Sequence, residues 1–183
     1  MTENADQPAQ SKNNITALID QSPIGRMQVI VVSIAVVLHM LDGFDVLVMS
    51  FTATDISTDW GLSASQLGML LSASLIGMAI GSMFLAPLAD KFGRRTIILT
   101  SLSLITTGML LSTFCQNAFQ FGAMRLLTGF GIGGILVCLS VITVEFSPLK
   151  WRTFCLTMFA SGYPLGAVIS GGIAVALIAD FGW

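Results

Sequence analysis

Leu88-Ala89-Asp90-Lys91-Phe92-Gly93-Arg94-Arg95 is a short charged turn between two apolar stretches, residues 60–89 and 96–124, neither of which contains Asp, Glu, Lys or Arg. Each stretch exceeds the roughly 20 residues that cross a hydrocarbon core about 30 Å thick. Three cations in these eight residues predict that the turn lies on the cytoplasmic side, because Lys and Arg accumulate in loops that are not translocated. Every other orientation in the chain follows from this one.

The composition agrees with a chain that lives in lipid. Of 183 residues, 54% are apolar and only 10% charged, against about 25% charged in a soluble domain. Mean hydropathy is +0.85. The net charge of -2 supplies no basic surface for nucleic acid. Cys115, Cys138 and Cys155 fall in or beside apolar stretches and read as small buried hydrophobes, not as a disulfide or metal framework. The first 26 residues are polar, with no early hydrophobic region and no small-residue cleavage site, so a removable signal peptide is not expected.

Outward from the turn, residues 1–25 read as a flexible cytoplasmic tail, ending in Ser22-Pro23 as a helix start. Apolar runs then predict an all-α membrane protein of five spans at about 27–51, 65–88, 96–115, 119–146 and 153–179. Lys12 and Arg26, Lys91, Arg94 and Arg95, and Lys150 and Arg152 all fall on one side of this arrangement. Connections 52–64 and 116–118 carry no cation, and Arg125 alone lies inside a span. The N-terminus is therefore expected inside the cell. Small residues recur every four positions at Ala73, Gly77 and Gly81, and at Gly162, Gly166, Ser170 and Ala174, a pattern that lets helices pack closely. Gly129, Gly131, Gly133 and Gly134 follow Arg125 on the same helix. With no strand before them they read as packing positions, not as a phosphate loop.

The candidate chemistry lies in the first and fourth spans. Asp42 and Asp45 are three residues apart, about 60° apart around a helix, and His39 continues that stripe one turn inward. A carboxylate in hydrocarbon costs at least about 2.5–3.5 kcal/mol, so this face should line a watery cavity or meet a cation. Arg125 and Asp45 each lie about 9 Å from the outer ends of their spans, at about 1.5 Å per residue. All three charges are expected at one level if the spans are neighbours. A guanidinium there suits a substrate carboxylate, which it grips with two hydrogen bonds. A plain structural Asp45–Arg125 pair and a hydrogen-bonded interior His39 remain open readings. At the cytoplasmic boundary Asp90 and Arg94 face the level of Glu145, Lys150 and Arg152. These charges form either a latch that breaks and re-forms between states or a set of solvated flanking charges.

These residues together resemble the major facilitator superfamily of secondary transporters. The 88–95 turn resembles the signature loop between helices two and three, with Ala86 standing where that motif begins with Gly. Arg125, the glycines after it, Glu145 and Pro148 resemble its fourth helix, and Gly162-Tyr163-Pro164-Leu165-Gly166 its fifth. Asp42-Gly43-Phe44-Asp45 is similar to the acidic signature of the aromatic acid:proton symporters. That resemblance implies uptake of benzoate-like or hydroxybenzoate-like anions, or of diacids such as muconate, together with protons across a bacterial inner membrane. It implies that Asp42, Asp45 and Arg125 are required for transport and that Asp90 and Arg94 serve a cytoplasmic gate. Members have twelve helices, so the chain reads as the truncated first five, with the missing C-terminal helices as its partners. A drug or metabolite exporter of the same superfamily, and a membrane interaction protein that does not transport, are the competing expectations. No nucleophile–base or metal-ligand set is visible, so neither an enzyme nor a cofactor is expected.

Overall fold

The computed structural model describes residues 25–181, and side chains as far as residue 173. The tail and the Ser22-Pro23 start lie outside the described residues. Five helices follow one another: α1 (Arg26–Asp59), α2 (Ala64–Phe92), α3 (Arg94–Ser112), α4 (Ala118–Phe146) and α5 (Arg152–Phe181). All five are long and apolar enough to cross a membrane. In lipid a backbone must satisfy its own hydrogen bonds, and an unbroken helix does so. α1 continues about two turns past the span expected to close at Phe51. The polar residues Thr52 to Asp59 form helix there, because a helix needs no lipid once its backbone bonds are made internally.

Local chemistry sets the joints. The Gly25 N–H donates to Gln28 Oε1 at 2.7 Å, opening α1. Ser63 caps α2: its Oγ accepts from the Gln66 N–H while Gln66 Oε1 accepts from the Ser63 N–H, a reciprocal pair that satisfies two orphan donors. α2 passes into α3 through the single residue Gly93 at φ +88°, a conformation that costs an L side chain and suits glycine. That one-residue joint turns the chain back within the 88–95 stretch. Asn117 Oδ1 caps α4 by accepting from the Gln120 N–H at 3.0 Å.

The helices pack around α4. Over its most apolar stretch α4 is 56% buried, against 17–28% for the others. Outward-facing Met83, Leu110 and Val168 are more than half exposed, as expected of side chains that meet lipid. Glycines set the spacing. A Cβ on Gly77 or Gly81 would strike the Leu126 or Phe130 carbonyl of α4. On Gly129 or Gly133 it would strike the Ser74 or Met78 carbonyl of α2. Gly162 and Gly166 bring α5 onto Val36 and Met40 of α1 in the same way. Without a hydrophobic drive between helices in lipid, backbone approach of this kind supplies the packing. Two tight contacts result, α2 on α4 and α1 on α5, with α3 closing against α4 through Gly108 and Gly131.

Candidate functional site

Where the two contacts meet, α1 presents Asp45 to Arg125 of α4. Arg125 Nη1 donates to Asp45 Oδ1 at 2.9 Å and to Oδ2 at 2.8 Å. The two side chains are only 13% and 11% exposed. Both carboxylate oxygens rest on one nitrogen, and Arg125 Nε, which is buried, makes no hydrogen bond. The guanidinium plane lies over Phe121 at 5.3 Å from the ring centroid, and Phe121 meets Trp60 edge-on. Met49, Leu70 and Phe121 form an apolar cluster on this side of the pair. An open cleft of about 180 Å³ between α1, α2 and α4 is lined by Asp45, Arg125, Ser50 and Ser74 among apolar neighbours. The Ser74 hydroxyl there has no hydrogen-bond partner.

Asp42 does not join this pair. The sequence spacing suggests three charges meeting at one level, yet the structure separates the two acids. Gly43, between them, lies directly against the backbone carbonyl of Tyr163, so closely that a Cβ would overlap it. The Ser170 hydroxyl donates to the Phe44 carbonyl at 3.2 Å. α1 is thus held by its Gly43 edge against α5, and the residues on either side diverge. Asp45 turns to Arg125. Asp42, 7% exposed, has no hydrogen bond to either oxygen. The nearest base is His39, whose Nδ1 is 3.9 Å from Asp42 Oδ2. The His39 ring is stacked on Phe159 of α5, with centroids 4.5 Å apart and planes 15° apart, and Tyr163 lies 5.7 Å away. A second cleft of about 350 Å³, walled mainly by Leu38, Leu41, Leu102, Ile105 and Ile135, touches both acids on its other side.

At the opposite end of the bundle Arg94 grips Glu145 with both terminal nitrogens, Nη2 to Oε1 at 2.7 Å and Nη1 to Oε2. This joins the start of α3 to the end of α4. The side chains are 27% and 51% exposed. Asp90 lies near enough to act electrostatically on Arg94, and Arg152 opens α5. Gly43, Phe159, Tyr163 and Ser74 belong to these surroundings but carry no charge that would single them out in a sequence. The four-residue ridge of Gly162 and Gly166 was the available signal that α5 has a close partner.

Comparison with known proteins adds a family to this geometry. The family model for the Major Facilitator Superfamily matches residues 33–183. A gallate transporter of Pseudomonas putida is 31% identical over 96% of this chain and 39% of its own length. A 4-hydroxybenzoate transporter of Pseudomonas aeruginosa is 32% identical over the same shares. A 4-hydroxybenzoate transporter of Acinetobacter baylyi is 34% identical over 91% of this chain and 36% of its own. The chain thus spans about 39% of the length of such relatives, with 151 of its 183 residues inside the family match (33 through 183). An integral membrane bundle of five apolar helices, it belongs to the Major Facilitator Superfamily.

Proposed function

We propose that this chain is the leading part of a carrier that takes up an aromatic acid or related carboxylate together with protons. Its N-terminus would be cytoplasmic and its membrane the bacterial inner membrane. The observation that carries the reading is the buried Asp45–Arg125 pair at an open cleft, with Arg125 Nε unoccupied. An incoming carboxylate in the cleft would compete with Asp45 for the guanidinium, which rests over Phe121. Charge arithmetic then links substrate to proton. Asp42, Asp45 and Arg125 ionised together sum to one negative charge, and a substrate anion would make it two. Holding a double negative charge in a site shielded from water costs several kcal/mol on any scale. A proton on one acid offsets one of those charges, so anion and proton bind best together. The relatives named for gallate and 4-hydroxybenzoate transport support the substrate class.

Half of such a path cannot alternate access by itself, since the cavity forms between two repeats that rock against each other. The remaining helices of the carrier are therefore its essential partners. Arg94 and Glu145, with Asp90 nearby and Arg152 at the start of α5, would serve the cytoplasmic gate, opening and closing as the halves move. The test is uptake of labelled 4-hydroxybenzoate into cells or proteoliposomes under an inward proton gradient, using the full-length carrier. Arg125→Ala and Asp45→Asn should each bring accumulation to background. Gradient-driven accumulation at the unsubstituted level in both variants overturns the reading.

A further inference from the structure

We propose that His39 and Asp42 form one proton-holding unit, separate from the Asp45–Arg125 pair, and that Phe159 tunes it. The inference rests on the transport reading above and assigns its proton to a place. His39 Nδ1 and both Asp42 oxygens are buried without a hydrogen-bond partner, and Nδ1 lies 3.9 Å from Asp42 Oδ2. Buried polar atoms left unpartnered on adjacent turns are costly, and here a base and an acid share that condition. A contraction of about 1 Å would bring them into hydrogen-bond range. One added proton, whether it rests on the imidazole or on the carboxyl, leaves the unit neutral. Without it the unit carries one negative charge, and the bond is open only to the Nδ1–H tautomer of His39.

The stacking partner points the same way. An aromatic face attracts a cation, and the imidazole lies flat on Phe159, so a protonated imidazole would meet a ring on one side and a carboxylate on another, both acting against the cost of burying its charge. The other charged or titratable groups facing the unit are few. α1 adds Asp45, already paired with Arg125 of α4. α5 adds Tyr163. α3 meets the Asp42 cleft with Leu102, Ile105 and Met109, none of which titrates, and α2 meets Asp45 only across the smaller cleft. The proton is therefore held at His39–Asp42, and the substrate anion is received at Arg125, whose partner Asp45 lies about one turn along α1 from Asp42. Protonation removes a negative charge from the neighbourhood of the incoming anion.

The experiment is the pH profile of 4-hydroxybenzoate accumulation by the full-length carrier, across about pH 5 to 8 where an imidazole titrates. His39→Gln keeps a hydrogen-bonding side chain but cannot hold the charge, and should remove the response near neutral pH. Phe159→Leu should move the midpoint to lower pH by about half a unit to one and a half units, the range between exposed and desolvated cation–π contacts. Phe159→Tyr, which keeps the ring face, should restore the midpoint. A merely structural His39 would lower uptake by the same factor at every pH. Profiles for His39→Gln or, where that variant fails to reach the membrane, Phe159→Leu that overlay the unsubstituted carrier overturn the inference while leaving the transport reading intact. Absence of any acid-driven uptake in the unsubstituted carrier removes both.

Discussion

Arg125–Asp45 and Arg94–Glu145 each tie α4 to a neighbour, and the two ion pairs differ in almost everything but chemistry. Arg125–Asp45 is 13% and 11% exposed and both oxygens crowd one nitrogen. Arg94–Glu145 uses both terminal nitrogens and is 27% and 51% exposed. The forked geometry is the better bond, yet it lies where water competes for it. A surface pair contributes about 0–1 kcal/mol, whereas removing one partner of a buried pair costs about 3–5 kcal/mol because the other charge is stranded. The contrast suggests two uses. A pair that is cheap to break suits a contact made and released in each cycle, and a buried pair suits a receptor that yields only to another anion.

Breaking the buried pair should therefore have the largest effect. Arg125→Ala strands Asp45 and should lower unfolding stability of the purified protein by about 3–5 kcal/mol, besides abolishing uptake. The double variant Asp45→Asn with Arg125→Gln should recover most of that stability without recovering transport. Full destabilisation in the double variant would mean that the stranded charge is not the cause. Next comes the contact that aims the acids. Gly43→Ala puts a methyl group into the Tyr163 carbonyl, and overpacking of this kind costs about 1–3 kcal/mol. Because it turns α1, it should depress uptake more than Gly68→Ala, where a Cβ meets nothing within 4 Å. Equal uptake in these two variants would remove Gly43 as the element that orients the site.

The smallest stability change should come from Glu145→Gln, at most about 1 kcal/mol. Salt should erase even that, since exposed pairs are screened over about 10 Å at 0.1 M ionic strength. Its effect on transport should be much larger than its effect on unfolding, because a latch acts on the balance between states. A stability loss at Glu145 equal to that at Arg125 would abolish the distinction drawn between the two pairs.

Much of the architecture is legible in particular residues. The empty charge ledger of 60–89 and 96–124 announces two helices, and the cations at 91, 94 and 95 announce the turn between them. The Ser63-x-x-Gln66 cap and Gly93 fix the ends of α2 at Ala64 and Phe92, around the 65–88 expected from the apolar run. Among the candidate site residues, Asp45 and Arg125 are conspicuous as charges in apolar runs, and equal depth along their helices suggests that they meet. The divergence of Asp42 is not legible. It depends on which edge of α1 touches α5, and that edge is marked only by Gly43, a residue with no side chain to announce a role. Phe159 is one of 12 phenylalanines, and nothing in its spacing distinguishes it as the ring beneath His39.

Depth and direction thus come from different sources. How far each group lies along a helix is written in residue counts, because rise per residue is constant and hydrocarbon forces every backbone amide to bond within its own segment. Which way a group points around the helix is decided between helices, where carbonyls of Tyr163, Met40 and Ser74 press against glycines of a neighbour. That rotation assigns Asp45 to the guanidinium while Asp42 keeps the His39 neighbour that i,i+3 spacing already gives it, and only the packed bundle contains the contacts that part the two acids.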